Sequence, residues 1–175
     1  MVNNMEQPAL ISPSVETNTE QPKRVDITDE DKERFFKSVL SDRPYEETVS
    51  LFNDQIKLRI KAMTVQENSD VVAQIVEDRK NGVASDTDAY FITIATYRLA
   101  LSLVSVDDKV YSSITKDNFS PSTEKDSYVL ARAKTMLSWS TPKLSAFLDA
   151  FSTFESKVII LTKEVQNPNF WKASA

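Results

Sequence analysis

The spacing of apolar residues changes along the chain from a helical period to a strand period and back again. Five stretches carry apolar residues at helical spacing, and residue types that cap helices precede them. These predicted helices begin at Thr28, Thr64, Ser85, Ser120 and Thr141. Between the first two, residues 45–62 alternate and predict one β-hairpin. The predicted fold class is therefore α+β and mainly α: a helical domain of about five helices with one β-hairpin and a disordered N-terminal tail.

The hairpin prediction includes a definite register. If Asn53 and Asp54 form the loop, one face becomes mostly apolar and the other polar, so one register satisfies both faces. The apolar face pairs Leu51 with Ile56, Val49 with Leu58, Glu47 with Ile60 and Tyr45 with Ala62. The polar face carries Lys57, Arg59 and Lys61, which suit either an anion site or, as we favour, a solvated face with a cross-strand ion pair. An isolated hairpin is only marginally stable, so it must pack on the helices or add to a partner's sheet.

The next two helices carry different signals. Thr64 and Glu67 form a capping box, and Gly82 is the left-handed residue expected just past the end of that helix. From Ala89 to Val106 the following helix is apolar all round and contains one charge, Arg98. We interpret it as a central core helix rather than a membrane span, because it is short and contains polar residues. Arg98 then needs a carboxylate partner or a route to the surface.

Proline in the first turn predicts the start of the last two helices, at Ser120-Pro121 and at Thr141-Pro142. The fourth helix is expected to run to about Trp139. The last one has the strongest periodicity, with apolar residues at Leu144, Phe147, Phe151, Phe154, Val158, Leu161 and Val165. This pattern fits a core helix, which we favour, and also a contact between subunits.

Two terminal segments flank the predicted domain. The expected division is a disordered tail over residues 1–26, a single helical domain over 27–166 containing the hairpin 45–62, and a C-terminal aromatic tail over 167–175. The N-terminal tail is polar and proline-rich, which favours disorder; alternatively it orders on a partner through Leu10 and Ile11. In the C-terminal tail, Phe170 and Trp171 either fold back onto the domain or dock on another protein.

The amino-acid composition excludes several classes of catalytic and binding site. The 175 residues include no cysteine, no histidine and one glycine. Disulfides, thiol nucleophiles, a histidine base and glycine-rich phosphate loops are therefore excluded. We predict a non-enzymatic protein without cofactors. The alternative is a hydrolase or nuclease that uses carboxylates and a metal, with the pairs Asp86 and Asp88, and Asp107 and Asp108, as candidates. We favour caps and turns for these acids.

The net charge and the distribution of basic residues indicate which classes of partner the chain can bind. A formal net charge of −5 and the lack of a basic tract argue against nucleic-acid binding and against an anionic membrane surface. The first 24 residues lack the basic and apolar regions of a signal peptide, so nothing is expected to direct the chain out of the cytoplasm. Other proteins, including a second copy of this chain, remain the expected partners.

The order of patterns resembles that of small tail or baseplate-hub assembly proteins of tailed bacteriophages, including their tail assembly chaperones. The resemblance covers residues 28–171: a short helix with an acidic start, the hairpin YEETVSLFNDQIKLRIKAMT, a capped helix, a YRLALSLVSV helix, and LSAFLDAFSTFESKVIILT closing in NPNFW. It implies a non-enzymatic role as a minor virion component or an assembly chaperone. The partners would be other tail or baseplate proteins, for example hub subunits or the tape measure, and the protein would reside in the virion or the host cytoplasm. A cytoplasmic adaptor unrelated to tails is the remaining alternative.

Candidate partner-binding residues come from the C-terminal periodicity and the terminal aromatics. They are Phe147, Phe151, Phe154, Phe170 and Trp171. The exposed edge of the hairpin is a further candidate surface.

Overall fold

A computed structural model describes residues 25–83, 87–123 and 126–167. Five helices and four strands lie in this part of the chain, in an α+β fold that is mainly α. In chain order they are α1 (Asp29–Leu40), β1 (Glu46–Leu51), β2 (Ile56–Lys61), α2 (Val65–Lys80), α3 (Asp88–Ser102), β3 (Leu103–Val106), β4 (Lys109–Val110), α4 (Tyr128–Leu137) and α5 (Thr141–Val165). The predicted fold class is confirmed.

The predicted hairpin register is confirmed at every pair from Leu51 opposite Ile56 to Glu46 opposite Lys61. The turn is wider than predicted, because three consecutive residues, Phe52, Asn53 and Asp54, adopt left-handed backbone conformations. The apolar face of the hairpin packs into the core, where Leu58 and Ile60 are fully buried.

The sheet is larger than one hairpin, which corrects the prediction. Helix α3 ends at Ser102 rather than Val106, and Leu103 to Val106 form β3 in antiparallel pairing with β2. The guanidinium of Arg132 stabilises this change from helix to strand by donating hydrogen bonds to the backbone oxygens of Ala100 and Leu103, at 2.9 and 3.2 Å. The resulting four-stranded sheet has the order β1-β2-β3-β4.

The start of α4 is a second correction. The helix begins at Tyr128 rather than at Pro121, and the side chain of Ser127 caps it by accepting a hydrogen bond from the backbone N–H of Leu130. Before the cap, the backbone N–H groups of Ser122 and Thr123 donate to the carboxylate of Asp126 at 3.0 and 2.9 Å. These bonds hold a loop where the proline suggested a helix.

Helices α3 and α5 form the centre of the core, as expected for both. Leu99, Leu101, Phe147 and Leu161 are at most 1% exposed. Arg98 at the side of α3 has a carboxylate partner, since its Nε donates to Oε1 of Glu155 at 3.2 Å. Within residues 25–83, 87–123 and 126–167, none of the helices has the length and hydrophobicity that a membrane span requires.

Helix α2 buries a polar row. Gln74 and Asp78 are buried, whereas the apolar Val65, Val72 and Val76 are exposed. The carboxylate of Asp78 accepts hydrogen bonds from Gln74 and, with 3.1 Å between heavy atoms, from the hydroxyl of Tyr97. Burial first, and then the charge of Asp78, raise the pKa of Tyr97, so this hydroxyl stays protonated and keeps donating.

Gly82 has the left-handed conformation predicted for it, with φ of +79°. A Cβ atom at this position would meet nothing within 4 Å, so only the backbone conformation penalises a substitution. We expect Gly82→Ala to lower the free energy of unfolding by about 1 kcal/mol. Gly82→Asn should cost less, because asparagine tolerates this conformation better. Urea denaturation of both variants measures the difference, and equal losses would contradict this account.

Candidate protein interaction surface

Strand β1 is the long edge of the sheet. It has six residues, whereas β4 at the other edge has two. The backbone N–H of Ala62 donates to the oxygen of Tyr45 at 2.8 Å, which marks that pair as hydrogen-bonded. Because such pairs alternate in an antiparallel ladder, Glu46, Thr48 and Ser50 direct their N–H and C=O groups away from β2. This row of peptide groups can pair with a further strand.

A groove of about 480 Å³ separates β1 from α5, and we call it the β1–α5 groove. Val49 and Leu51 line it on the strand side. Helix α5 contributes small residues, Ala146 and Ala150, which keep the groove open. Phe52 stands in its lining at the turn, with 52% of its surface exposed. The lining of the groove is therefore mixed, with apolar side chains beside the charged Asp26, Glu47, Asp149 and Lys157. The exposed ring at the turn is of a residue type that is enriched at protein interfaces.

The backbone at Phe52 is strained. Its φ of 52° is uncommon for a residue other than glycine and a true outlier for a bulky one. The ring of this residue is half-exposed at the end of the edge strand. Strained conformations of this kind concentrate at functional sites, and this one adds weight to the groove as the candidate surface.

A group of buried and half-buried polar side chains links α1, β1 and α5 at one end of the groove. It consists of Asp31, Glu47, Lys157 and Tyr45, and we call it the Lys157 cluster. Nζ of Lys157 lies 2.8 Å from Oδ1 of Asp31 and 3.0 Å from Oε1 of Glu47. The hydroxyl of Tyr45 donates to the other oxygen of Glu47 at 3.2 Å. The cluster fixes the spacing between β1 and α5, and Glu47 and Lys157 also line the groove.

Burial, hydrogen bonds and neighbouring charges set the pKa values of Asp31 and Tyr45 in this cluster. Burial by itself would raise the pKa of Asp31, but hydrogen bonds from Lys157, Thr28 and Arg34 outweigh it and hold the pKa well below its usual range. Burial and the charge of Glu47 raise the pKa of Tyr45. At neutral pH, therefore, the Asp31 carboxylate is ionised and the Tyr45 hydroxyl is protonated, which suits a structural clamp.

The basic row of β2 is exposed at Lys57 and Arg59, as favoured from the sequence, whereas Lys61 is half-buried. Nε of Arg59 pairs with Oε2 of Glu46 across the hairpin at 2.8 Å, and Lys61 pairs with Glu67 at the start of α2. The cross-strand ion pair joins Arg59 to Glu46 diagonally, although Lys61 is the residue directly opposite Glu46 in the register. Two of the three basic side chains thus have carboxylate partners.

Three of the five predicted partner-binding residues belong to the core of the domain, and a role for them in binding stays a prediction. Phe147 is 0% exposed, and Phe151 and Phe154 are each 3% exposed, so their rings pack inside the domain; Phe154 also lines the β1–α5 groove. The ring of Phe154 stacks on Tyr45 with 6.0 Å between centroids. Phe170 and Trp171 lie outside the described residues.

The candidate metal-binding carboxylates occupy turns and caps where they are described. Asp107 and Asp108 have left-handed backbone conformations in the turn between β3 and β4. A side-chain oxygen of Asp107 accepts a hydrogen bond from the backbone N–H of Lys57 at 2.8 Å. Asp88 lies in the first turn of α3, and Asp86 is outside the described residues. Within residues 25–83, 87–123 and 126–167, no group of three or more acidic side chains is placed to hold a metal ion.

Lys157 is the site residue that sequence analysis missed. Ala150, Phe154, Lys157 and Leu161 follow one another at helical spacing, and the other three are buried. A lysine inside an apolar row needs a buried carboxylate or a route to solvent, by the same reasoning that was applied to Arg98. The sequence therefore indicated that Lys157 needs a partner, but it did not identify Asp31 on α1 and Glu47 on β1 as the partners.

Comparison of the chain with protein-family models, with curated proteins and with solved structures finds no match.

Proposed function

We propose that this chain is a non-enzymatic protein-interaction component that binds an extended segment of its partner along β1. The observation that carries the proposal is the outer edge of β1 beside the β1–α5 groove, which pairs with no other strand in the part of the chain that the structure describes. The partner strand would pair with the outward peptide groups of Thr48 and Ser50. Its alternate side chains would enter the groove and contact Val49 and Leu51.

The proposed partners are other tail or baseplate proteins of a tailed bacteriophage, with the chain acting as a minor structural subunit or an assembly chaperone. The support for this choice is the resemblance in the order of elements, from the acidic-start helix and hairpin to the long final helix. In this proposal the protein works in the virion or in the host cytoplasm, without nucleic acid. An adaptor with other partners would use the same surface.

A substitution at Thr48 tests the strand-addition mechanism. Thr48→Pro removes an N–H group that points away from β2, so the hairpin keeps its own hydrogen bonds while the edge loses a donor. Thr48→Ala is the matched control, because it removes the same side chain and keeps the N–H. The binding partners to titrate are the purified tail proteins encoded by the neighbouring genes.

We expect the wild type and Thr48→Ala to bind one of these proteins with similar affinity, and Thr48→Pro to bind it at least tenfold more weakly, a loss of about 1.4 kcal/mol. Thermal unfolding of Thr48→Pro checks that its fold is retained. Equal affinity of a folded Thr48→Pro would rule out strand addition at β1. If only proteins unrelated to tails bind, the tail assignment is wrong and the adaptor is favoured.

A further inference from the structure

The chain enters its folded part beside the β1–α5 groove. Val25 and Asp26 line the groove together with Leu51 and Phe52. Two residues later Ile27 packs against the core and Thr28 caps α1, so this entry point is fixed. Residues 1–24 are therefore attached at the wall of the groove that we propose as the partner site.

The attached segment is long enough to lie along β1. The six residues of β1 extend over about 20 Å at 3.3 Å per residue. Residues 14–21, SVETNTEQ, form a proline-free stretch of eight residues that can span about 26 Å when extended. Only Pro22, Lys23 and Arg24 separate this stretch from Val25. A tether this short raises the effective concentration of the segment at the groove to about the millimolar range.

The composition of the stretch suits a strand at this edge. Val15, Thr17 and Thr19 are β-branched and alternate with the polar Glu16 and Asn18. Pro13 and Pro22 flank the stretch, and proline ends a strand because it has no N–H to donate.

We propose that residues 14–21 add to β1 as a further strand of the sheet, with Val15, Thr17 and Thr19 facing the β1–α5 groove. This inference rests on the proposed function of the groove, because the segment then occupies the place of the partner's strand. Binding of a partner requires the release of the segment. An edge paired in this way is also protected from nonspecific pairing with other strands.

Amide hydrogen exchange of the full chain, followed by NMR, tests the inference without a partner. The backbone N–H groups of Thr48 and Ser50 point away from β2, so only an added strand protects them, whereas those of Val49 and Leu51 bond to β2 in every case. The test variant is Val15→Pro/Thr17→Pro/Thr19→Pro. The matched control, Val2→Pro/Asn4→Pro/Glu6→Pro, places three prolines at the same spacing outside the proposed strand.

We expect the Thr48 and Ser50 amides to be protected in the wild type and the control, and to exchange at least tenfold faster in the test variant. The Val49 and Leu51 amides should exchange equally in all three proteins. Equal rates for Thr48 and Ser50 in all three would overturn the inference, as would protection that disappears on dilution, which would indicate pairing between two copies. Neither result bears on the Thr48→Pro binding test, so failure of the inference and failure of the proposed function remain distinguishable.

Discussion

Replacing Lys157 with methionine is expected to lower the free energy of unfolding by about 3–5 kcal/mol at pH 7. The side chain of Lys157 is 12% exposed and lies between two carboxylates, those of Asp31 and Glu47. Methionine fills a similar volume, so the change removes the charge and leaves the packing largely intact. The two carboxylates then face one another in a partly buried site, with only the half-exposed Arg34 left to pair with Asp31.

The pH dependence of this effect has a definite sign. The pKa of Asp31 is lower in the folded protein than in the unfolded chain, so its ionisation stabilises the fold above the unfolded value of about 4. That contribution is lost as the pH falls from about 4 through the folded pKa. In Lys157→Met the hydrogen bond from Lys157 is gone, so the pKa of Asp31 rises and the carboxylate is neutralised sooner. The difference between variant and wild type should therefore shrink between pH 7 and about pH 3.

Urea denaturation at several pH values measures both effects. Lys163→Met is the matched control, because Lys163 lies on the same helix and is exposed. We expect this control to change the free energy of unfolding by no more than about 0.5 kcal/mol. A loss in Lys157→Met no larger than in the control, or one that does not change with pH, would show that the Lys157 cluster does not stabilise the fold.

The hairpin shows what sequence could predict well. Its register depends on residues close together in the chain, and a slip by one residue would turn every apolar side chain to the wrong face. The same reasoning applies to the helix caps at Thr28 and Thr64, where a side chain and a backbone N–H three residues away form the capping box. Local chemistry was sufficient for these features.

Strand β3 shows why other features were not predictable. The stretch Leu103 to Val106 continues the apolar pattern of α3, and periodicity alone does not separate a buried helix from a short buried strand. Its conformation depends on pairing with β2 and on hydrogen bonds from Arg132, which lies 29 residues after Leu103. The groove is a similar case, because β1 and α5 are about a hundred residues apart in the chain and the Lys157 cluster holds them at a fixed spacing.

The heptad pattern of α5 was ambiguous for a physical reason. An apolar row at spacings of three and four residues is the same whether it packs inside one chain or between two chains. The pattern is therefore compatible with two roles, binding of a partner and packing in the core, for the same three residues, Phe147, Phe151 and Phe154. Their burial within the described domain decides between these interpretations for the monomer.

Replacing Phe147 with alanine tests whether its ring belongs to the core. We expect this change to lower the free energy of unfolding as much as the loss of Lys157 does. Phe147 is 0% exposed, and its ring meets Trp139 edge to face with 4.9 Å between centroids. Phe147→Ala removes these contacts and leaves a cavity, so we expect a loss of about 3–5 kcal/mol. Phe91→Ala is the control, because Phe91 is 61% exposed, and it should cost no more than about 0.5 kcal/mol. Urea denaturation compares the two. A Phe147→Ala variant as stable as the control would mean that the ring serves a contact outside the core, as the heptad pattern alone allowed.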